Sequence, residues 1–192
     1  MSALQRFFVV AIALMVVLPS TMMGGVLAQS EETPVYSVSQ DGMCYTVEAL
    51  GDGSTSVEEF YDYRNNETTE TGIYSSYGTV YLQENQVSNV FFYHGSQGVS
   101  LVFLHDKLGN DSLYASTLTM ELTDLPSGEW AIQDDYYGGG TQDDDWVVSE
   151  SSTTVDWKWA PNRTDGGAYR GFENLQSGSA VTVTPGFNED AA

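Results

Sequence analysis

Apolar and polar residues alternate one by one along much of this chain. Leu118, Met120 and Leu122 alternate with Thr117, Thr119, Glu121 and Thr123. Val155, Trp157 and Trp159 alternate with Thr154, Asp156 and Lys158, and Val181 and Val183 with Thr182 and Thr184. A period of two gives an extended segment one apolar face and one wet face, as antiparallel sheet requires. Residues 89–94 (NVFFYH) and 99–104 (VSLVFL) are more continuously apolar and predict central strands covered on both sides. The intervening Gly95-Ser96-Gln97-Gly98 closes them into a hairpin that sets His94 opposite Val99 and His105 opposite Ser88. Further strands are expected near residues 36–40, 44–50, 57–63, 78–83, 128–134 and 146–150. Turn signals separate them, among them Asp41-Gly42, Gly109-Asn110-Asp111, Pro126-Ser127-Gly128, Gly138-Gly139-Gly140 and Asp165-Gly166-Gly167. Short strands at frequent turns, without helical crossovers, predict an all-β chain folded as an antiparallel β-sandwich, with a jelly roll or barrel as the alternative.

The first 28 residues do not follow this pattern. Arg6 precedes the unbroken apolar run FFVVAIALMVVL (residues 7–18), Pro19 and Ser20 break it, and Val26 and Ala28 precede a small-residue cleavage site before Gln29. A basic start, an apolar stretch and such a site make a signal peptide for general export, with residues 29–192 as one mature domain. A retained anchor is the competing reading, weakened by Pro19, Ser20 and the Gly24-Gly25 pair. No later stretch reaches membrane-spanning length. The lone Cys44 excludes an internal disulfide and leaves either a small strand residue or a thiol open to intermolecular bridging. Asn66-Glu67-Thr68, Asn110-Asp111-Ser112 and Asn162-Arg163-Thr164 are glycosylation sequons in polar, loop-like segments, so Asn66, Asn110 and Asn162 are candidate glycan carriers.

Charge changes the picture most. The chain holds 27 acids against 6 bases, a formal net charge of −21. Such a surface excludes general nucleic-acid binding, which needs Lys and Arg against phosphate. In dilute buffer it opposes compaction by self-repulsion, and molar salt screens that repulsion within about 3 Å. The composition therefore points to an extracellular protein adapted to high salt, or to a calcium-loaded module. Several segments carry a resemblance: VEEFYDYR (57–64), SSYGT (75–79), LVFLHD (101–106), Gly128-Glu129-Trp130 with Asp134-Asp135-Tyr136, and Trp157-Lys158-Trp159 with RTDGGAYRG (163–171). Together they resemble a family of uncharacterised acidic secreted proteins of haloarchaea. The resemblance spans residues 57–172 and implies an extracellular β-rich fold from an extreme halophile, without supplying catalytic residues.

Candidate chemistry is sparse. Asp134, Asp135, Asp143, Asp144 and Asp145 flank a Gly-rich loop and could supply oxygens to calcium, although the spacing is not that of an EF-hand loop. The alternative is a solvated acidic hairpin. Tyr136 and Tyr137 in the same loop are the candidate exposed aromatics for a glycan or protein partner. Trp157 and Trp159 share a face with Val155 and are assigned to the core. His94 and His105 fall at opposite ends of the hairpin, roughly 20 Å apart, and cannot act as a pair. His105 and Asp106 are expected on opposite faces of their sheet. There is no G-x-S-x-G turn or zincin motif, so no catalytic residue is assigned. The expected role is a secreted, non-enzymatic, cell-surface structural or adhesion module without an obligatory cofactor. A carbohydrate-binding module is the alternative, and a small carboxylate-dependent glycan hydrolase a third reading. The ligand, the partner and the oligomeric state are not specified by the sequence.

Overall fold

A computed structural model of the chain describes residues 10–13, 35–63, 75–109, 115–134 and 143–187. Among the described residues, eleven strands run in chain order: β1 (Val10–Ala13), β2 (Val35–Gln40), β3 (Met43–Glu48), β4 (Ser88–Gly95), β5 (Gly98–His105), β6 (Ser116–Thr123), β7 (Glu129–Gln133), β8 (Asp145–Val148), β9 (Ser152–Trp159), β10 (Asp165–Arg170) and β11 (Ala180–Phe187). They form two sheets, a seven-stranded one in the order β3-β2-β1-β11-β6-β9-β8 and a four-stranded one in the order β4-β5-β10-β7. The pairings within both sheets are antiparallel, and the two sheets pack as a β-sandwich. By backbone, part of the apolar leader run lies as β1 between β2 and β11.

The alternating segments behave as their period dictates. Leu118, Met120, Leu122, Val155, Trp157, Trp159, Val181 and Val183 point inward and are buried. Their partners form the outer face of the larger sheet. The hairpin of β4 and β5 has the expected register, with His94 opposite Val99 and Ser88 opposite His105, and its loop is the two residues Ser96 and Gln97. Every residue of β5 from Val99 to His105 is buried, because the smaller sheet is covered on both faces. Its inner face meets the larger sheet. Its outer face packs against a second cluster in which Val57 and Tyr61 meet Tyr93, Val102, Ile132 and Ala168.

That second cluster corrects two expectations. Residues 57–63 are not a strand: Val57–Tyr61 form the short helix α1, capped by Ser56, whose hydroxyl accepts the Glu59 amide. Residues 78–83 are not a strand either, and Val80–Leu82 make a single 3₁₀ turn. Here the chain folds onto the back of α1, with the Gln83 amide donating to the Ser76 carbonyl and to the Thr79 hydroxyl. A third correction concerns Asp165-Gly166-Gly167, expected as a turn, which opens β10. The glycine at 166 is required by close approach: a Cβ there would lie 2.1 Å from the Phe103 carbonyl oxygen, and its φ is +151°.

One irregularity re-aims a side chain at the edge of the smaller sheet. The pairing of β7 with β10 shifts between Ala168 and Tyr169, so that Ile132 faces Ala168 while Trp130 faces Tyr169. Residues 130 and 132 would share a face of a regular strand. The bulge at Ala131 separates them, sending Trp130 to the inter-sheet side and Ile132 to the outer cluster.

Candidate functional site

The acids flanking the Gly-rich loop divide into two environments. Asp134 and Asp144 are 1% and 3% exposed, whereas Asp143 and Asp145 lie at the surface. Asp134 follows the end of β7. Its Oδ2 accepts the Tyr61 hydroxyl at 3.0 Å, and its amide donates to the Gly166 carbonyl. That same carbonyl accepts Trp157 Nε1 at 3.0 Å, tying the two sheets together at this end. Burial, and then the charges of Asp134 and Asp165, hold the Tyr61 phenol well above its ordinary range. Asp144 Oδ1 accepts the Lys158 amide at 2.9 Å, and Asp145 pairs with the Lys158 ammonium at 3.2 Å. Among the described residues no three His, Cys, Asp or Glu side chains converge as metal ligands. Asp135, Tyr136 and Tyr137 lie outside the described residues, as do Asn66 and Asn110.

Buried polar residues without a sequence signature belong to the same architecture. Asp106 has a φ of +61°, which turns its side chain back toward the core, so the expected opposition of His105 and Asp106 does not hold. Asp106 Oδ2 accepts Trp159 Nε1 at 3.1 Å, and its Oδ1 accepts the Gln86 and Lys107 amides. His105 is fully buried, stacked on Trp159 at 5.6 Å and edge-on to Trp157 at 4.5 Å, with Nδ1 3.0 Å from the Ser88 hydroxyl. Burial alone lowers its pKa to about 3, so the ring is neutral. Asn162 is exposed with a φ of +69°, while its sequon partner Thr164 is buried and accepts the Ser76 amide. Cys44 is an exposed residue of the edge strand β3.

Two surfaces formed by the described residues set carboxylates beside hydroxyls. The first is the outer face of the larger sheet, built from register rows. Thr184, Glu121, Thr154 and Val147 form one row, and Thr119, Asp156 and Asp145 a second. Thr182, Thr123 and Ser152 form a third. Thr119 Oγ1 donates to Asp156 at 2.6 Å. The helix α1 packs on the other sheet, against β4 and β7.

The second surface is a groove of about 510 Å³ where the edge strands β7 and β8 leave the sandwich open. Trp130, Tyr169, Leu125 and Val148 form its apolar part, and Ser127, Ser149, Ser151, Glu129 and Glu150 its polar part. Trp130 meets Trp146 and Tyr169 edge-on at 4.8 and 5.5 Å, and its Nε1 donates to Thr153 at 3.0 Å. Arg170 bridges Glu129 and Glu58 and also donates to Gln97. No sequence motif marks this site, because it depends on the Ala131 bulge and on which strands are edges. Of its residues, only Gly128-Glu129-Trp130 form a recognisable segment. No protein-family model matches the chain, and no curated protein or solved structure matches it.

Proposed function

We propose that this is a secreted, salt-adapted structural or adhesion module of a haloarchaeal cell surface, without enzymatic activity. It would be exported by a signal peptide, whose removal withdraws β1 from between β2 and β11, and glycosylated at one or more of Asn66, Asn110 and Asn162. The observation that carries the reading is the outer face of the larger sheet. Thr119, Thr123, Thr154, Thr182 and Thr184 stand there in register among Glu121 and Asp156. Such a face offers many weak hydrogen bonds over a broad area, and their strength does not depend on long-range charge. That suits attachment to a hydrated, glycan-bearing surface in concentrated salt. The strongly displaced groups Tyr36, Tyr61 and His105 support a non-catalytic reading. Burial is the leading cause of each shift, and their side chains belong to the packed interior.

The test is retention of the secreted chain on isolated cell envelopes in molar sodium chloride. A triple variant, Thr119→Val, Thr154→Val and Thr184→Val, keeps the β-branched shape and removes three hydroxyls. Retention is expected to fall at least tenfold while the circular dichroism stays unchanged. Equal retention of variant and wild type would refute the assignment.

A further inference from the structure

We infer that the groove between β7 and β8 binds a neutral saccharide, its apolar ring face on Trp130 and its hydroxyls on Glu129 and Glu150. This rests on the adhesion reading and deepens it by naming a ligand class. Four observations converge on the groove.

The first is the ring. Trp130 is fixed by Tyr169, Trp146 and Phe103 at 4.8–5.9 Å. Its only donor is already satisfied by Thr153. What it offers a ligand is therefore apolar surface, immobilised beforehand, so binding loses little side-chain entropy there.

The second is the balance of donors and acceptors. Two carboxylates and the Ser127 and Ser151 hydroxyls line the groove. Carboxylates only accept, so they select a ligand rich in O–H donors, and charge-assisted bonds of this kind are the stronger ones.

The third is charge. Among the described residues, Arg170 is a base beside the groove, and it is engaged by Glu58 and Glu129. An anionic polysaccharide or phosphate would meet Glu150 and would have to compete with Glu58 and Glu129 for Arg170. A cationic peptide would suit the charge, but its attraction fades in molar salt. Hydrogen bonding and ring stacking persist.

The fourth is size and construction. At about 510 Å³ the groove falls within the about 300–1,000 Å³ of small-ligand sites. The Ala131 bulge exists at this position alone in the pairing of β7 with β10, and it turns Trp130 toward the groove.

The experiment titrates the secreted chain in molar sodium chloride with short neutral glucans, mannans and galactans, followed by tryptophan fluorescence and by affinity electrophoresis. A polyuronate and oligolysine serve as the charged alternatives. At least one neutral series is expected to bind, and Glu150→Gln, an exposed position, is expected to weaken it about tenfold. Trp130→Phe is expected to weaken it by a similar factor and to lose the fluorescence response. Glu84→Gln, an exposed position outside the groove, should leave affinity unchanged. Three results would overturn the proposal: no neutral saccharide binds at millimolar concentration, oligolysine or polyuronate binds in their place, or Glu150→Gln binds as wild type. If the threonine variant loses envelope retention while saccharide binding is absent from the wild type, the groove assignment falls and the outer-face reading stands. If the threonine variant is retained as wild type and saccharide binding is intact, the outer-face reading falls and the groove stands.

Discussion

Replacing His105 should alter how the fold responds to acid. The imidazole is fully buried between Trp157 and Trp159, and its pKa falls from 6.5 to about 3 on folding. Between those values the unfolded chain binds a proton that the folded chain refuses. Stability therefore carries its full contribution from this group above pH 6.5 and loses it as pH falls toward 3. Linkage gives about 2 kcal/mol lost between pH 7.5 and 5, and about 5 kcal/mol over the whole interval. His105→Phe keeps an aromatic ring against both tryptophans and removes the titration. Urea unfolding in high salt at pH 7.5 and pH 5 would measure the difference. The wild type should lose about 2 kcal/mol more than the variant across that step. Asp106 and Asp165 lie close by in the fold and are present in both proteins, so they cancel in the comparison. If His105→Phe does not fold, nuclear magnetic resonance of the wild-type imidazole serves instead, and the ring should stay neutral at pH 5. Equal losses in the two proteins, or a ring that protonates near pH 6.5, would refute the argument.

Tyr61→Phe removes the donor to buried Asp134 and should cost about 1–3 kcal/mol in urea unfolding. Gly166→Ala places a Cβ 2.1 Å from the Phe103 carbonyl oxygen, and should cost about 3 kcal/mol or more, seen as loss of folded secreted protein. Arg170→Ala breaks the bridge to Glu58 and Glu129. It should cost about 1 kcal/mol in dilute buffer and close to nothing in molar salt, read by melts at both concentrations. Calcium should leave the melting midpoint unchanged at fixed high salt, because Asp134 and Asp144 already accept Tyr61 and the Lys158 amide. A shift at micromolar calcium that Asp144→Asn abolishes would instead establish an ion site.

The sandwich is legible in the sequence because its strands are amphipathic with a period of two, and burial of one face fixes their register. The central hairpin is legible for the opposite reason, being apolar throughout with glycines bracketing its loop. The helix α1 reads locally as a strand although Ser56 and Glu59 carry the spacing of a helix start; the apolar Val57, Phe60 and Tyr61 are too few to separate the two periods. Residues 78–83 hold no local signal for their turn. Their path is set by contact with α1, where a Cβ at Gly78 would lie 1.9 Å from the Phe60 carbonyl oxygen. Asp165-Gly166-Gly167 misleads because glycine signals a turn and also permits tight packing between strands, and only the neighbours decide which. Acid count points to a solvated surface, yet Asp106, Asp134, Asp144 and Asp165 are buried. Partners such as Trp159 for Asp106 and Tyr61 for Asp134 come from distant parts of the chain, and no local pattern encodes them. The groove is invisible in the sequence for the same reason.

The hairpin of β4 and β5 also bears on how the chain gets to its fold. Asn85 to His105 contains no Asp, Glu, Lys or Arg, in a chain that otherwise repels itself. Its eight paired positions close through two residues, so forming it requires little loop entropy and no neutralisation of charge. Collapse of this stretch should therefore proceed at nearly the same rate in dilute and in concentrated salt. The acid-bearing strands that dock onto it must wait for screening. Salt would then act chiefly on the later, long-range steps of assembly, and its concentration would set how long an uncharged nucleus stays unaccompanied.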